Sequence, residues 1–213
     1  MDTVQQLKTI VSSFLKVGVD IINENTLIDN SAIKGSIMIH RMYAIISREL
    51  KKEINGYNNR IRTFGQLLVA CNLQSPASNS ELKASQEESV ILPNKQERLS
   101  KPGISIGIDI EDVENMPRVA DCREDIFYKQ HFTPGEISYC LLQPDPWQSF
   151  AGKFAAKEAI VKADNTYKGI PFLQIPIDSD VRGKPTFKNF ALSISHNGQC
   201  AVAVAVRVDG DHA

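Results

Sequence analysis

The feature that most constrains this 213-residue sequence is a change of pattern near its middle, where a polar stretch separates two halves of different character. Residues 76–102 are rich in Ser, Glu, Lys, Asn and Pro and contain a single short apolar island at residues 90–92. An island of that size buries too little surface to offset the entropy of ordering the segment. The sequence therefore predicts two domains, residues 1–75 and 103–213, joined by a polar linker.

The first domain has the periodicity of three amphipathic helices. Apolar residues recur at three- and four-residue steps over residues 4–15 and again over residues 37–54, which puts them on one face of each helix. Thr63 precedes another apolar run and is a typical N-cap for a short third helix. An all-α bundle is therefore predicted for residues 1–75.

The second domain mixes strands with a helix. GISIGIDI, residues 103–110, alternates apolar with small or acidic residues like a strand with one buried face. Residues 150–163 have the Ala, Lys and Glu content of a helix. Two alternating apolar runs flank Asn197-Gly198, a dipeptide typical of a two-residue hairpin turn. These patterns predict an α+β domain whose antiparallel sheet packs on a long helix.

Charge and apolar content exclude several classes of protein. The 24 basic and 25 acidic residues give a formal net charge of −1, whereas a general nucleic-acid-binding protein has a basic excess. No apolar run reaches the roughly 20 residues that cross a bilayer, and the first residues lack the pattern of a signal peptide. We therefore expect a cytoplasmic protein with no nucleic-acid or membrane partner. The four cysteines are widely spaced, which predicts buried free thiols.

The candidate chemistry centres on carboxylates. An acid at Asp109, inside an apolar strand, is costly unless it is paired or binds a metal, and Glu111 projects from the same face. Glu158 is followed one helical turn later by Lys162. Carboxylates without a thiolate or histidine cluster suit Mg²⁺, and Mg²⁺ beside a lysine stabilises the charge that develops in phosphoryl-type transfer. Spacing alone leaves two alternatives open: a solvated Glu158–Lys162 pair, and an Asp109 capped by backbone donors.

Five motifs follow one another over about 100 residues of the second half: GIDIEDV, HFTPGEISYC, SFAGKFAAKEAIVKA, GKP and LSISHNG. In this order they closely resemble the holo-acyl-carrier-protein synthase type of 4′-phosphopantetheinyl transferase. SYC, SFAGKFAAKEA and SISH are also similar to the transferase domain that ends fungal fatty acid synthases. The resemblance covers roughly residues 103–208.

This resemblance implies an enzyme that transfers the 4′-phosphopantetheine arm of coenzyme A to a serine of an apo acyl carrier protein. Asp109, Glu158 and Lys162 would be the catalytic residues. Asp109 and Glu158 would hold Mg²⁺, and Glu111 matches a further ligand of some relatives. Lys162 would neutralise phosphate charge as 3′,5′-ADP leaves, while a metal-bound water or a site carboxylate takes the serine proton. Small relatives often form trimers, so a homotrimer is expected.

The resemblance also implies a coenzyme A site. His196 would lie there beside Lys162, although a strand-end histidine outside this family is usually structural. Lys153 stands where many relatives have arginine, and Lys168 lies in a turn that is glycine-rich in relatives and here keeps only Gly169. Both lysines are therefore candidate phosphate contacts. A family motif near the metal-bearing helix is matched by Phe132, Thr133 and Glu136.

The first domain is similar to an acyl carrier protein, in which a serine opens the second helix. Ser36 is then the expected attachment site for phosphopantetheine. Carriers usually have aspartate before that serine and are acidic, whereas this chain has Gly35 and a balance of +3 over residues 1–75. Because residues 103–213 carry −4, we expect the two domains to dock, with Arg41 and Arg48 facing the acidic transferase domain. The alternative is that Ser36 only caps a helix.

The leading hypothesis is therefore an Mg²⁺-dependent transferase that loads a carrier, either a separate protein or its own Ser36. One alternative is a carrier or adaptor protein whose transferase-like half only binds coenzyme A or a partner. Another is a transferase regulated by a carrier-like domain that is never modified. The expected partners are coenzyme A and an apo acyl carrier protein, either separate or within this chain.

Overall fold

The structure is a computed structural model, and it describes residues 2–29, 31–51, 54, 61–73 and 103–208. The first part of the chain forms three helices, as the periodicity predicts: α1 (Thr3–Leu15), α2 (Ser36–Leu50) and α3 (Phe64–Ala70). The predicted linker, residues 76–102, lies outside the described residues. The division into domains therefore stays a prediction.

The starts of α2 and α3 differ in how they are capped. Thr63 caps α3 as predicted, in a reciprocal capping box with Gln66. At α2 the N-cap is Gly35, and Ser36 is the first helical residue with no side-chain capping bond. The alternative that Ser36 serves only as a helix cap is therefore wrong, and its hydroxyl is available for another partner.

The second part of the chain is α+β, as predicted. Its strands are β1 (Ile104–Asp112), β2 (Asp178–Ser179), β3 (Pro185–Phe187), β4 (Phe190–His196) and β5 (Cys200–Val208). They form one sheet in the order β1-β5-β4-β3-β2, with every neighbouring pair antiparallel. Three helices precede β2: α4 (Ile126–His131), α5 (Pro134–Leu141) and α6 (Pro146–Ala163). The long helix α6 packs across β1, β5 and β4.

The buried face of β1 is the one that carries small and acidic residues. Gly107, Asp109 and Glu111 point inward, and the isoleucines that alternate with them are exposed. The reason is the close approach of α6: a Cβ at Gly107 would lie 1.9 Å from the carbonyl oxygen of Ala159. Only the glycine-bearing face can accept the helix, so the two carboxylates are carried into the interior with it.

The hairpin between β4 and β5 exists, but its turn is longer than predicted. The strands end at His196 and resume at Cys200, which leaves three residues between them instead of two. The side chain of Asn197 explains the difference, because its Oδ1 accepts hydrogen bonds from the backbone N–H groups of Gln199 and Cys200.

Helix α2 packs into both apolar clusters of the molecule. Met42, Tyr43 and Ile46 lie in a cluster with α1 and α3. Ile37 and Ala44 instead belong to the cluster formed by the sheet, α4, α5 and α6. One helix of the first part thus lies directly against the second part. None of the helices in the described ranges is long and apolar enough to cross a membrane.

The predicted burial of the cysteine thiols is confirmed for three of the four. Cys71, Cys122 and Cys140 are buried and form no disulfide, and Cys200 is partly exposed.

Candidate active site

Three carboxylates and a lysine meet where α6 crosses β1. Asp109 and Glu111 are buried on the strand, and Glu158 lies on α6. Lys162 Nζ donates to Asp109 Oδ1 across 2.7 Å, with Asp109 buried and Lys162 half exposed. The lysine is thus paired between elements, with the strand carboxylate, and is not held in a solvated pair on its own helix. The structure brings together the four residues that the sequence singled out.

Burial raises the pKa of all three carboxyls, and neighbouring negative charge raises the pKa of Glu111 and Glu158 further. The pKa of Glu111 rises to about 8, chiefly because of burial and then because Asp109 and Glu158 are close. The pKa of Glu158 rises to about 7 through burial and the charge of Asp109, and that of Asp109 is raised mainly by burial. For Lys162, burial acts against the charge, but contact with Asp109 outweighs it and raises the pKa. Such a site favours a further positive charge.

Two buried oxygens at this site have unused lone pairs. Asp109 Oδ2 and Glu111 Oε2 have no hydrogen-bond partner among the residues that the structure describes. In the same residues, no three His, Cys, Asp or Glu side chains converge as a ready-made metal cage. Mg²⁺ does not need one, since it is usually held by one or two carboxylates and completed by water and substrate phosphate. The donor set therefore fits an open Mg²⁺ site.

The hydroxyl of Ser36 lies at the same carboxylates. Ser36 Oγ donates a hydrogen bond to Glu111 Oε1, although 75 residues separate the two in the chain. Gly35, at a φ of +88°, brings the backbone so close that an added Cβ would lie 3.0 Å from Asn115 Nδ2. The candidate acceptor serine and the candidate metal ligands thus form a single site.

One turn after Ser36, His40 projects from α2 into the second part of the chain. Its Nδ1 lies 2.8 Å from Nε2 of His131, whose Nδ1 lies 2.6 Å from the carbonyl oxygen of Phe127. Burial lowers the pKa of His40 to about 4, and burial also lowers that of His131. Because the carbonyl can only accept, His131 Nδ1 donates to it and His40 Nδ1 donates to His131. The unprotonated Nε2 of His40 then faces Glu158 Oε1 at 3.8 Å.

Of the two arginines expected to face the second part of the chain, Arg41 reaches it through a hydrogen bond to the backbone. Arg41 Nη1 donates to the backbone carbonyl of Asn115 across 2.9 Å, and the charge of Asp125 acts on it. Arg48 instead forms its ion pair with Glu49, its neighbour in α2. The contacts of α2 with the second part are therefore mostly apolar and hydrogen-bonded, with little ionic contribution.

Two of the predicted coenzyme A contacts line one cavity of about 160 Å³ beside the start of α6. His196 is exposed there, with Nδ1 2.8 Å from Gln148 Oε1. Lys153 is buried, donates to the carbonyl oxygen of Ile177 and lies over the ring of Tyr139. Lys168 is exposed in the turn after α6. Within the described part of the chain it forms no hydrogen bond with His196 or Lys153.

A buried ion pair between Lys157 and Glu136 fixes the position of α6. Lys157 Nζ donates to Glu136 Oε2 and to the carbonyl oxygen of Phe172, each across 2.9 Å. Glu136 also accepts from the backbone N–H groups of Thr133 and Ile177. Phe132 is buried beside them. Lys157 lies next to Glu158 in the chain, so this network sets the position of the part of α6 that carries the candidate metal ligand.

Sequence reasoning missed His40, His131 and Lys157 as contributors to the site. The spacing of His40, four residues after Ser36, was a usable signal, because residues at i and i+4 share a helix face. The sequence contains no comparable signal for His131 and Lys157, because their partners are 91 and 21 residues away in the chain.

Comparison with known proteins identifies relatives of the second part. The family described as the 4′-phosphopantetheinyl transferase superfamily matches residues 105–206. The holo-[acyl-carrier-protein] synthase of Chlorobaculum tepidum is 37% identical over 113 residues, covering 48% of this chain and 97% of that protein. The fatty acid synthase subunit alpha of Aspergillus oryzae is 31% identical over 48% of this chain and 7% of that protein.

Among solved structures, the holo-(acyl-carrier-protein) synthase of Bacillus anthracis in complex with CoA (3′,5′-ADP) matches 50% of this chain and 96% of that chain. Its sequence identity is 31% and its TM-score is 0.40.

Proposed function

This chain belongs to the holo-acyl-carrier-protein synthase family of 4′-phosphopantetheinyl transferases, and from that premise we propose that it loads the phosphopantetheine arm of coenzyme A onto its own Ser36. One observation carries the proposal: the Ser36 hydroxyl is hydrogen-bonded to Glu111, within the cluster of Asp109, Glu158 and Lys162. On this account helix α2 belongs to a carrier-like domain whose serine is docked at the transferase site.

The chemistry follows from the positions of these groups. Ser36 Oγ attacks the β-phosphorus of coenzyme A, so that a new O–P bond forms and the bond to the departing 3′,5′-ADP breaks. Glu111, already the acceptor of the serine hydrogen bond, takes the proton. No covalent enzyme intermediate is required. The expected alternative base, a bound water, is unnecessary where a carboxylate already contacts the nucleophile.

Charge on the transferred phosphate is offset by Lys162 and by Mg²⁺. Asp109 and Glu158 would hold the ion, and when bound it would supply positive charge to the pyrophosphate oxygens. Lys162 is half exposed beside Asp109, so its ammonium can also reach a phosphate oxygen. The like-charge crowding that raises the pKa values of Glu111 and Glu158 would be relieved by the same cation.

The nucleotide end of coenzyme A is proposed to bind at the cavity lined by His196 and Lys153, with Lys168 as an outlying phosphate contact. Membership of the holo-acyl-carrier-protein synthase family supports coenzyme A as the substrate class. Lys153 Nζ donates one hydrogen bond to the carbonyl oxygen of Ile177. Two of its three ammonium protons therefore remain for a phosphate.

Self-association is proposed as a homotrimer, as the family resemblance implies. Support comes from the four isoleucines of β1 that are between 57% and 66% exposed on one face of the sheet: Ile104, Ile106, Ile108 and Ile110. A continuous exposed apolar stripe of this kind is typical of a surface that another protein covers.

The test is intact mass spectrometry of the full chain incubated with coenzyme A and Mg²⁺, alone and beside a small bacterial apo acyl carrier protein. Glu158→Ala, Ser36→Ala and EDTA-treated samples run in parallel. The proposal predicts that the wild-type chain gains one phosphopantetheine arm, and that all three treatments abolish this gain.

Other outcomes would redirect the assignment. Transfer to the added carrier without any gain on the chain itself would keep the transferase and make the first part a docking or regulatory domain. Transfer to neither acceptor would favour the alternative of a carrier or adaptor that only binds coenzyme A.

A further inference from the structure

Gly35, the N-cap of α2, and His40, within the helix, position Ser36 against the transferase domain, residues 103–208. His40 is 9% exposed and lies in an aromatic cluster of that half, with ring centroids 5.4 Å from Phe154 and 5.6 Å from Phe172. Its hydrogen bond to the buried His131 fixes the rotation of the ring. Because His40 follows Ser36 by one helical turn, this seat also sets where the serine lies along the site.

Gly35 controls how closely the backbone before Ser36 approaches Asn115 and Glu111. Its φ of +88° is a conformation that side chains rarely adopt, and an added Cβ would lie 3.0 Å from Asn115 Nδ2 and 3.8 Å from Glu111 Oε2. A residue with a carboxylate at this position would therefore meet steric strain, a close neighbour and a like charge at once. Glycine permits the contact between Ser36 and Glu111 that any other residue would disturb.

Helix α2 also covers the approach to the carboxylates of Asp109, Glu111 and Glu158. Ile37 and Ala44, on the same side of α2, are buried with Val113 and Phe127 of the transferase half. A serine on a separate carrier protein must reach the same carboxylates, and α2 stands where its helix would approach.

We propose that Gly35 and His40 are specificity-determining residues that direct transfer to the serine of this chain in preference to the serine of a separate carrier protein. This inference rests on the proposed transferase function. Its basis is the combination of the buried contacts that His40 makes with His131, Phe154 and Phe172 and the positive φ at Gly35. Releasing either contact lowers the occupancy of the site by Ser36 and opens it to a competing acceptor.

The test is a competition assay in which the full-length protein and an equal concentration of a small bacterial apo acyl carrier protein share coenzyme A and Mg²⁺. Intact mass gives the two loading rates separately. Gly35→Asp is compared with Gly18→Asp, since Gly18 has a negative φ and its nearest neighbour would be an ordinary 3.9 Å away. His40→Ala is compared with His40→Asn, which keeps a donor towards His131.

We expect wild type and Gly18→Asp to load Ser36 faster than the separate carrier. Gly35→Asp and His40→Ala should lower self-loading by about tenfold or more, the effect of about 1.4 kcal/mol of lost docking, and raise the rate on the separate carrier. His40→Asn should restore part of the preference.

An unchanged ratio of the two rates, or an equal fall in both, would overturn the inference. Because Gly35 is exposed and outside the apolar clusters, misfolding of His40→Ala would leave Gly35→Asp as a valid test. A wild-type chain that loads neither acceptor would instead refute the transferase function itself.

Discussion

At the scale of single residues, the site is defined by carboxyl groups whose burial disfavours the charged form. Asp109 and Glu111 each bury an oxygen that has no hydrogen-bond partner in the described part of the chain. Burial of this kind is destabilising unless a cation or a proton compensates it. The folded protein therefore keeps an unfavourable arrangement, of the kind common at functional sites, that the proposed metal ion would relieve.

Glu158→Gln should separate activity from stability. The substitution removes a proposed metal ligand, so loading of Ser36 should fall by about 100-fold or more, in keeping with the several kcal/mol that a metal supplies. In EDTA the same variant should melt at a higher temperature than wild type, because it removes one of the crowded negative charges. Differential scanning fluorimetry beside the mass assay measures both.

The sign of this stability effect follows from the raised pKa. The carboxyl of Glu158 has a pKa of about 7 when folded, against an ordinary value of 4.5, so wild type loses stability as pH rises between these values. The advantage of the variant should be absent near pH 4.5 and full above pH 7. Glu114→Gln, at an exposed position, is the control and should change neither property. A variant that melts lower than wild type at pH 8 would contradict this account.

Much of this residue-level site was predictable. The alternation of β1 puts Asp109 and Glu111 on one face, and helical spacing puts Glu158 and Lys162 on another. The pairing of Lys162 with Asp109 was not, because it depends on how closely α6 approaches β1. Nor could the seat of His40 be predicted, since its neighbours come from parts of the chain about 90 or more residues away.

At the scale of elements, the site exists because α6 lies directly on β1. An added Cβ at Gly107 would lie 1.9 Å from Ala159 O and 2.6 Å from Ala163 N. These are backbone atoms, which cannot move aside without displacing the whole helix. The contact that positions Glu158 over Asp109 therefore depends on the absence of a side chain at one position of the strand.

Gly107→Ala should accordingly damage the fold of the transferase half. We expect a loss of at least about 3 kcal/mol of unfolding free energy, at or beyond the upper end of ordinary overpacking, because the clash involves backbone. Gly198→Ala is the control, since nothing lies within 4 Å of its added Cβ. Urea unfolding followed by circular dichroism measures both. Equal stability of the two variants would show that α6 can move away from the strand.

The buried ion pair between Lys157 and Glu136 leads to a second prediction, about the stability that it gives to the packing of α6. Their side chains are 0% and 1% exposed, so Lys157→Met leaves a buried carboxylate uncompensated and should cost about 3–5 kcal/mol. Adding Glu136→Gln removes that charge and keeps an acceptor for the N–H of Ile177, so the double variant should be more stable than Lys157→Met alone. Additive losses in urea unfolding would contradict this interpretation.

The elements themselves were largely predictable, and the exceptions have identifiable causes. The apolar periods of α1 and α2 and the capping signal at Thr63 predicted the helices. The length of the β4–β5 turn was missed, because Asn197 uses its side chain to hold a three-residue loop. The direction in which β1 faces was decided by the approach of α6 to Gly107, which no local pattern reveals.

At the scale of the whole molecule, α2 joins the two parts of the chain. It contributes Met42 and Ile46 to one apolar cluster, and Ile37 and Ala44 to the other. The sequence predicted docking from opposite charge balances. The contacts of Arg41 and His40 show that hydrogen bonds and apolar packing hold the helix instead. Charge balance was thus a usable signal for an interface but a poor guide to its chemistry.

The exposed face of β1 predicts how copies of the chain associate. Ile108→Lys places a charge in the centre of the isoleucine stripe, which should dissociate the proposed trimer into monomers because burying an unpaired charge is costly. Ile21→Lys is the control: Ile21 is 64% exposed, against 57% for Ile108, but lies away from the sheet. Sedimentation velocity of the two variants beside wild type measures the mass. A monomeric wild type, or an unchanged mass for Ile108→Lys, would contradict the prediction.

The central claim is that Ser36 accepts the arm at the transferase site of this protein, and peptide mapping tests it most directly. The full chain is incubated with coenzyme A and Mg²⁺, digested, and analysed by tandem mass spectrometry, with Glu158→Gln in parallel. Our account predicts phosphopantetheine on Ser36 in wild type and no modification of that residue in the variant. An unmodified Ser36 in a preparation that loads an added apo acyl carrier protein would contradict it.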